Sequence, residues 1–426
     1  MPDSIVTAYE ESDVLDPRTD AVRPSVPPVM KPVDLGPVHV ETPVVLSPMA
    51  GVTNWPFRVI CESYGPDGLY VAEMITARAL VARNPKALRL CHFAPSEKIR
   101  SLQLYGVNPA IVEQAAKIVI DENMADHVDL NFGCPVPKVT RRGGGSALPW
   151  KTDLFREIIQ RVVKICDAAN VPVTAKIRVG IDHEHETFLE AGHIAQEEGC
   201  KAVTLHARTT AEYYGGHSDW SRIGELVEAL DIPVFGNGDI WGANDALAMV
   251  AETGCAGVAI GRGCQGRPWL FADIKNAFAG SDKRVDPTLG DVCRVVERHA
   301  ELLTEFYDGD EQMAVHDLRK HIAWYLKGFP VGGSTRRAFM ECENLEDVRA
   351  EIGKLDPNIR FPERVSTSQG GACASQRKCI CLTDGWNHGK QRMMNVRRCL
   401  GMILWTPAIE YDMLMWLNRR GGTERG

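Results

Sequence analysis

Residues 99–133 read IRSLQLYGVNPAIVEQAAKIVIDENMADHVDLNFG. Two short apolar runs, 99–106 and 127–133, flank a segment whose apolar residues recur with a helical period. Continuous apolar runs are typical of parallel strands buried on both faces, and a helix usually makes the crossover between such strands. The stretch therefore predicts one strand–helix–strand unit of a parallel α/β fold.

The same alternation extends along most of the chain. The further apolar runs are 44–50, 69–74, 173–180, 202–208, 234–240 and 257–261. Helical patterns such as TDLFREIIQRVVKICDAA and GANDALAMVAETG lie between them. Eight such units in about 240 residues predict an α/β fold of the (β/α)8 TIM-barrel type. An open doubly wound sheet is the alternative, but such sheets normally carry GxGxxG after the first strand, where this chain has SPMAG.

Composition divides the chain into four predicted parts. Residues 1–36 are rich in proline without periodicity, which predicts a disordered leader. The TIM barrel is predicted over 37–285, and purely helical patterns predict a small C-terminal helical domain over 286–360. Residues 361–426 are basic and unlike the rest, and we expect an atypical, disordered tail there.

Charge and hydropathy exclude some classes of protein. The 426-residue chain has a formal net charge of −8, which argues against a protein that coats nucleic acid but permits local basic patches. It contains no apolar run of about 18 residues and no secretory signal core, so we expect a cytoplasmic protein with no membrane contact. The 13 cysteines lack framework or paired zinc spacing, which predicts free thiols and no metal.

Polar residues recur where the predicted strands end. In TIM barrels these ends form the active site. In strand order the chain has Met49, Ala50, Glu73, Gln103, Asn131, Lys176, Arg178, His206, Arg208, Asn237, Gly238, Asp239, Gly261 and Arg262, with Cys134 in the loop after the fourth strand. Core packing does not explain this agreement, so the barrel mouth is the predicted site.

The loops after the last two strands predict a phosphate site. They read GNGDIWG and GRGCQG, and glycine allows the backbone to approach an anion closely. Arg262 adds a charged clamp. The alternative is that the glycines only make tight turns. Gln103, Asn131 and Lys176 could contact a flat, amide-rich heterocycle, and such a ring with a phosphate suits FMN.

Taken in order, several motifs resemble the tRNA-dihydrouridine synthases, particularly the bacterial B-type subgroup. The resemblance covers about residues 40–355 and rests on SPMAGVTNWPFR, the strand of Gln103, NFGCPVPKV, GSALP, KIRVG, HARTTAEYYGGHSDW, GNGDI and GRGCQGRPWLF. It implies a flavin-dependent oxidoreductase that reduces the C5=C6 bond of specific uridines in tRNA, with NAD(P)H as electron source and NADPH as the expected reductant. Hydride would pass from reduced FMN to C6, and Cys134 would give a proton to C5.

The resemblance also implies which residues bind. FMN would be held by Pro48, Met49, Ala50, Gln103, Lys176, His206, Asn237, Gly238, Asp239, Gly261 and Arg262. The tRNA would be contacted by Asn131, Lys138, Arg141, Arg142, Arg178, Arg208, Arg319, Lys320 and Lys327. A plain flexible loop is the alternative explanation of Arg141 and Arg142. For the basic cluster between Arg319 and Arg337, the alternative is a solvated helix face. No obligatory protein partner is expected.

The stretch around Cys134 is predicted to be a mobile lid. Pro135 and Pro137 are expected to keep it out of regular structure, and Gly143–Gly145 to let it move. A free thiol is largely protonated at neutral pH and can donate a proton, although a thiolate nucleophile is the alternative. Two other functions compete: an FMN barrel acting on a free pyrimidine, as in dihydroorotate-type dehydrogenases, and an RNA-binding or tRNA-folding module.

Overall fold

The computed structural model describes residues 23–360. Most of the predicted leader, residues 1–22, and the predicted tail, residues 361–426, lie outside the described residues. The strands are β1 (Val33–Leu35), β2 (Val38–Val40), β3 (Val44–Leu46), β4 (Leu69–Tyr70), β5 (Ile75–Thr76), β6 (Ser101–Tyr105), β7 (His127–Phe132), β8 (Val173–Arg178), β9 (Ala202–His206), β10 (Val234–Asn237) and β11 (Gly257–Ile260).

Nine strands form one parallel sheet in the order β4-β3-β11-β10-β9-β8-β7-β6-β5. Val71 continues β4 and forms a parallel bridge to Ser101 of β6, and the Ala72 N–H donates to the Ser101 carbonyl at 2.9 Å. This contact joins the two ends of the sheet and closes it into a barrel. Strands β4 and β5 are two parts of one interrupted second strand. The eight predicted apolar runs all coincide with these strands, so the TIM barrel is confirmed.

Helices cover the outside of the barrel. They are α1 (Trp55–Tyr64), α2 (Ala77–Val81), α3 (Pro85–Leu90), α4 (Pro109–Asp121), α5 (Pro137–Thr140), α6 (Thr152–Asp167), α7 (Phe188–Glu197), α8 (Ser221–Ala229), α9 (Ala243–Thr253) and α10 (Leu270–Phe278). Helix α6 buries Phe155, Ile158, Val162 and Cys166, three or four residues apart, because that spacing places them on one face. The main hydrophobic core lies between such faces and the strands.

A short hairpin packs at the opposite end of the barrel from the strand carboxyl ends. Strands β1 and β2 pair antiparallel across a turn in which Gly36 has φ +59°, a conformation that favours glycine. Their apolar side chains cluster with Val45, Leu69 and Phe235 of the barrel. The predicted disordered leader, 1–36, is therefore wrong at its end, because β1 already belongs to this packed hairpin.

Up to residue 360, where the described chain ends, four helices follow the barrel: α11 (Leu289–Phe306), α12 (Glu311–Tyr325), α13 (Gly332–Glu341) and α14 (Leu345–Ile352). Their own hydrophobic cluster includes Trp55, Ile60 and Trp269 from the barrel. Barrel and helices lie in one compact unit, and the boundary at residue 285 stays a prediction. Within residues 23–360, no helix is long and apolar enough to cross a membrane.

Candidate active site

Cys134 lies just beyond the carboxyl end of β7. It is half-buried, whereas the other cysteines of the described chain are buried and free. Its carbonyl accepts hydrogen bonds from the N–H and the hydroxyl of Ser146, at 3.1 and 3.0 Å. Burial raises the pKa of the Cys134 thiol, against smaller opposite effects of the Val136 backbone and Arg178. The thiol is therefore protonated at neutral pH.

The loop that carries Cys134 is more regular than expected. Pro137 begins the helical turn α5, which suits proline because the first helical residue needs no N–H partner. A 3-10 turn follows at Gly145–Ala147. Gly143 and Gly145 have φ values of +75° and +56°, so they shape tight turns. The expectation that prolines exclude regular structure here is wrong.

A column of polar side chains runs up the inside of the barrel towards Cys134. Ser101 Oγ lies 2.7 Å from Nδ1 of His127, and His127 Nε2 lies 3.0 Å from the hydroxyl of Thr174. The Thr174 hydroxyl and Nε2 of Gln103 each donate to the carboxylate of Asp129 at 2.6 Å. Nδ2 of Asn131 donates to Oε1 of Gln103 at 2.8 Å. Strand alternation turns these residues inward, so the barrel axis is polar.

The top of the column meets the Cys134 loop. Oδ1 of Asn131 accepts the backbone N–H groups of Gly133 and Cys134 at 3.3 and 3.1 Å. Gln103 is fully buried, and Asp129 and Asn131 pair with its two amide atoms. The predicted contact of Gln103 with FMN stays a prediction, and these internal partners are an additional role.

Positive charge is concentrated at the mouth around His206. Burial lowers the pKa of His206 well below its usual value, and Arg178, Lys176, Arg208 and Arg262 lower it further. Burial, with a smaller effect of Arg178, also lowers the pKa of Lys176 to about 8. Lys176 donates to Oδ1 of Asn237 at 3.1 Å. Although the whole chain is acidic, its mouth is a site suited to an anion.

Arg178 joins two loops of the mouth. Its guanidinium donates to the carbonyls of Gly133 and Thr209 at 3.0 and 2.8 Å. It lies 5.3 Å from the ring centre of Tyr214, and Arg262 lies 5.2 Å from the same ring. The exposed ring of Tyr214 thus makes cation–π contacts with both arginines.

Arg208 faces the protein interior. It forms a buried ion pair with Asp239 at 2.7 Å, in which both side chains are 1% exposed. Its other donors reach the carbonyls of Gly215 and Gly216, both at 2.9 Å, and Ser218 Oγ at 2.8 Å. Arg208 thereby anchors the loop after β9, and its predicted contact with RNA gains no support from this arrangement.

The predicted phosphate loops bring backbone and charge together. Gly238 and Asp239 have φ values of +126° and +56°, and Arg262 lies 3.6 Å from Asp239. A 3-10 turn, Arg262–Cys264, begins directly after Gly261. Within the described structure, the buried Ser47 Oγ has no hydrogen-bond partner. A buried hydroxyl of this kind normally pairs, which suits a ligand bound beside it.

Glu73 ends up below the loop after β3. Its buried carboxylate accepts the N–H of Gly51 at 2.6 Å, and burial raises its pKa. Met49, next to Pro48 and Ala50 in that loop, lies 3.7 Å through its sulfur from Gln265 of the last barrel loop. The first and eighth loops therefore meet at the mouth, as the barrel order requires.

The basic residues predicted for RNA occupy two regions. Lys138, Arg141 and Arg142 are exposed beside Cys134. In the helical region Lys327 is exposed, whereas Arg319 and Lys320 are half-buried. Arg319 donates to the carbonyl of Cys342, and Lys320 pairs with Asp317.

Four residues of the site escaped the sequence argument: Ser47, Asp129, Tyr214 and Trp241. The guanidinium of Arg262 lies 5.3 Å from the ring centre of Trp241. Asp129 had a signal, because it stands two positions before Asn131 in a strand and so faces the same way. Tyr214 lay inside the quoted motif HARTTAEYYGGHSDW. Ser47 and Trp241 also lay inside quoted stretches, SPMAG and GNGDIWG. Residues 23–360 contain no group of three or more side chains that could hold a metal ion.

The chain is similar to known proteins over most of its length. The profile of the family described as dihydrouridine synthase (Dus) matches residues 45–359. The probable tRNA-dihydrouridine synthase of Mycobacterium tuberculosis is 47% identical over 376 residues, which cover 87% of this chain and 94% of the relative. The tRNA-dihydrouridine synthase B of Pseudomonas putida is 38% identical over 338 residues, covering 79% of this chain and 96% of that protein.

Proposed function

Because the chain belongs to the dihydrouridine synthase family, we propose that it is an FMN-dependent tRNA-dihydrouridine synthase of the bacterial B type. It reduces the C5=C6 bond of specific uridines in tRNA. One observation carries the proposal: a half-buried, protonated thiol, Cys134, stands at the mouth of a TIM barrel beside a cluster of cations.

The mouth fits FMN in charge and in hydrogen bonding. The cations around His206 suit a phosphate, and the unpaired hydroxyl of Ser47 suits a polar ligand atom in the barrel. A side-chain carbon at Gly261 would meet no atom nearer than 4.0 Å, so the backbone there is open to a ligand. The residues proposed to hold FMN are Pro48, Met49, Ala50, Gln103, Lys176, His206, Asn237, Gly238, Asp239, Gly261 and Arg262. Bound FMN, once reduced by NADPH, supplies the hydride that adds to C6.

Residues of the protein bind the base and donate the proton. Hydride addition at C6 moves negative charge towards C5 and O4 of the uracil. The Cys134 thiol donates its proton to C5, and its raised pKa favours this acid role over that of a thiolate nucleophile. One N–H of the Asn131 amide donates to Gln103. We propose that the second N–H donates to a carbonyl of the base.

The target base must leave its stack to reach this site, which costs about a few kcal/mol. Contacts between basic side chains and phosphates offset that cost. We propose such contacts for Lys138, Arg141 and Arg142 beside the thiol. The helical region would add Arg319, Lys320 and Lys327. Arg178, whose guanidinium ties two mouth loops together, is proposed to act near the base rather than on the RNA backbone.

We further propose that NADPH is the electron donor, that the enzyme works in the cytoplasm, and that it needs no obligatory protein partner. The absence of a helix able to span a membrane within the described chain is compatible with this location.

Replacement of Cys134 by Ala tests the chemistry. The purified variant should be yellow and loaded with flavin but make little dihydrouridine in tRNA, whereas the control Cys293→Ala, at a buried site in α11, should keep activity. A wild-type protein that cannot take up FMN would refute the proposal. Turnover of free uracil but not of tRNA would favour a free-pyrimidine reductase instead. Rescue of a deletion strain by Cys134→Ala would favour an RNA-binding function.

A further inference from the structure

A series of hydrogen bonds links Cys134, Asn131, Gln103 and Asp129. In each bond the residue nearer the mouth is the donor. Gln103 donates to Asp129 at 2.6 Å, Asn131 donates to Gln103 at 2.8 Å, and the Cys134 N–H donates to Asn131 at 3.1 Å. Each amide therefore turns its N–H side towards the bottom of the barrel and its carbonyl towards the mouth. We propose that Asp129 is a positioning residue that fixes both amides and, through them, the backbone of Cys134.

The groups at the two ends of this hydrogen-bond series allow only this orientation of the two amides. Burial raises the pKa of Asp129 only to about 6, so at neutral pH its carboxylate is mostly ionised and can only accept hydrogen bonds. At the other end, the backbone N–H of Cys134 can only donate. A flipped Gln103 would set its carbonyl against the carboxylate, and a flipped Asn131 would set its NH2 against the N–H groups of the loop.

The surroundings of Asp129 hold its carboxylate in one orientation. Its side chain is buried inside the barrel, and Thr174 holds its second oxygen at 2.6 Å. Lys176 is the cation that favours its ionised form. The amide of Gln103 is shielded from solvent, because Gln103 is itself fully buried. A hydrogen bond in such surroundings keeps its direction.

The consequence concerns the thiol. Asn131 accepts from both Gly133 and Cys134, so its carbonyl holds the backbone at the point where the chain leaves β7. If the amide of Asn131 turns over, both N–H groups lose their acceptor and Cys134 moves. Under the proposed function, on which this role depends, the same turn also removes the N–H offered to the base.

Alkylation of Cys134 tests the proposal without relying on tRNA reduction. The full-length protein and its variants are treated with iodoacetamide, and modification of the peptide containing Cys134 is followed by mass spectrometry. In Asp129→Ala we expect alkylation about fivefold faster, the shift in an opening equilibrium that corresponds to one lost hydrogen bond of about 1 kcal/mol. Asp129→Asn should react as the wild type does, because its carbonyl can accept from Gln103 while its NH2 donates to Thr174.

Two further variants separate positioning from general loosening of the barrel. Ser101→Ala removes a buried polar group at the far end of the column, and Cys134 should keep its wild-type rate. Gln103→Met removes the hydrogen bonds of Gln103 to Asp129 and Asn131 with little change of volume. Its Cys134 should be alkylated as fast as that of Asp129→Ala, and it replaces Asp129→Ala in the test if Asp129→Ala folds poorly. Equal rates in folded Gln103→Met and Ser101→Ala, or a fast Asp129→Asn, would overturn the proposal. Wild-type protein that is inactive on tRNA would count against the proposed function but leave these rates interpretable.

Discussion

Replacement of Gly145 by Ala should displace Cys134 and lower both the activity and the stability of the protein. The φ of +56° costs a side-chain-bearing residue about 1–2 kcal/mol. The new methyl would also overlap the carbonyl oxygen of Cys134 and lie 2.8 Å from Cγ1 of Val139. Non-bonded carbons prefer about 3.5 Å, so the segment must retreat by roughly 0.7 Å (3.5 − 2.8).

This displacement sets the expected loss. A misplacement of about 1 Å can cost about 100-fold in rate, so kcat on tRNA should fall by about 10- to 100-fold. The free energy of unfolding should fall by about 2–4 kcal/mol, which combines the backbone strain with the overpacking. Flavin content should not change, because the overlapping atoms belong to Cys134 and Val139 rather than to the loops proposed to hold FMN.

A matched control isolates the overlap from the backbone strain. Gly280 has φ +79°, and a methyl there would meet no atom within 4 Å. Gly280→Ala should lose about 1 kcal/mol in urea unfolding and keep its activity. If Gly145→Ala, folded and loaded with flavin, has a kcat within twofold of that of Gly280→Ala, then the geometry inferred for the thiol is wrong.

Three further changes test other contacts. Asp239→Ala leaves the buried guanidinium of Arg208 without its counter-charge, and urea unfolding should show a loss of about 3–5 kcal/mol; a loss below about 1 kcal/mol would contradict this. Burial raises the pKa of Asp129 to about 6, above its unfolded value, so its contribution to stability is complete below about pH 4 and is lost as the pH rises through 6. Asp129→Asn should therefore abolish a fall of about 1–2 kcal/mol between pH 5 and pH 8, and an unchanged pH dependence would refute the assignment. Changing Arg141 and Arg142 to Gln should weaken tRNA binding in filter assays and reduce the slope of log K against log salt by about 1–2, whereas an unchanged slope would mean that neither touches a phosphate.

The strands could be predicted because parallel strands buried on both faces leave continuous apolar runs. The hairpin of β1 and β2 was missed although VDLGPVHV alternates with period two around a Gly-Pro turn, since the nearby prolines suggested disorder. Two three-residue strands also give too short a pattern to outweigh composition. Their burial depends on Phe235, Leu69 and other barrel residues far away in the chain.

The position of the predicted site at the barrel mouth could be inferred from the sequence. The contacts between its residues could not. Strand ends identify which residues reach the mouth, because all parallel strands point the same way. They do not indicate which of these residues pair with one another. Arg208 was expected to face RNA, yet Asp239, 31 residues later, holds it inside the protein. That pairing depends on the positive φ values of Gly238 and Asp239, which no local pattern announces.

The barrel has one seam that is weaker than the others. Between β4 and β6 it is closed by the bridge from Val71 to Ser101 and the bond from Ala72, whereas β8 and β9 pair over five residues. The amide of Ala72 should therefore exchange with deuterated solvent well before those of β8. Opening of the barrel at this seam would let the segment with Glu73, and the β3 loop whose N–H it holds, shift relative to β6, whose Ser101 begins the polar column.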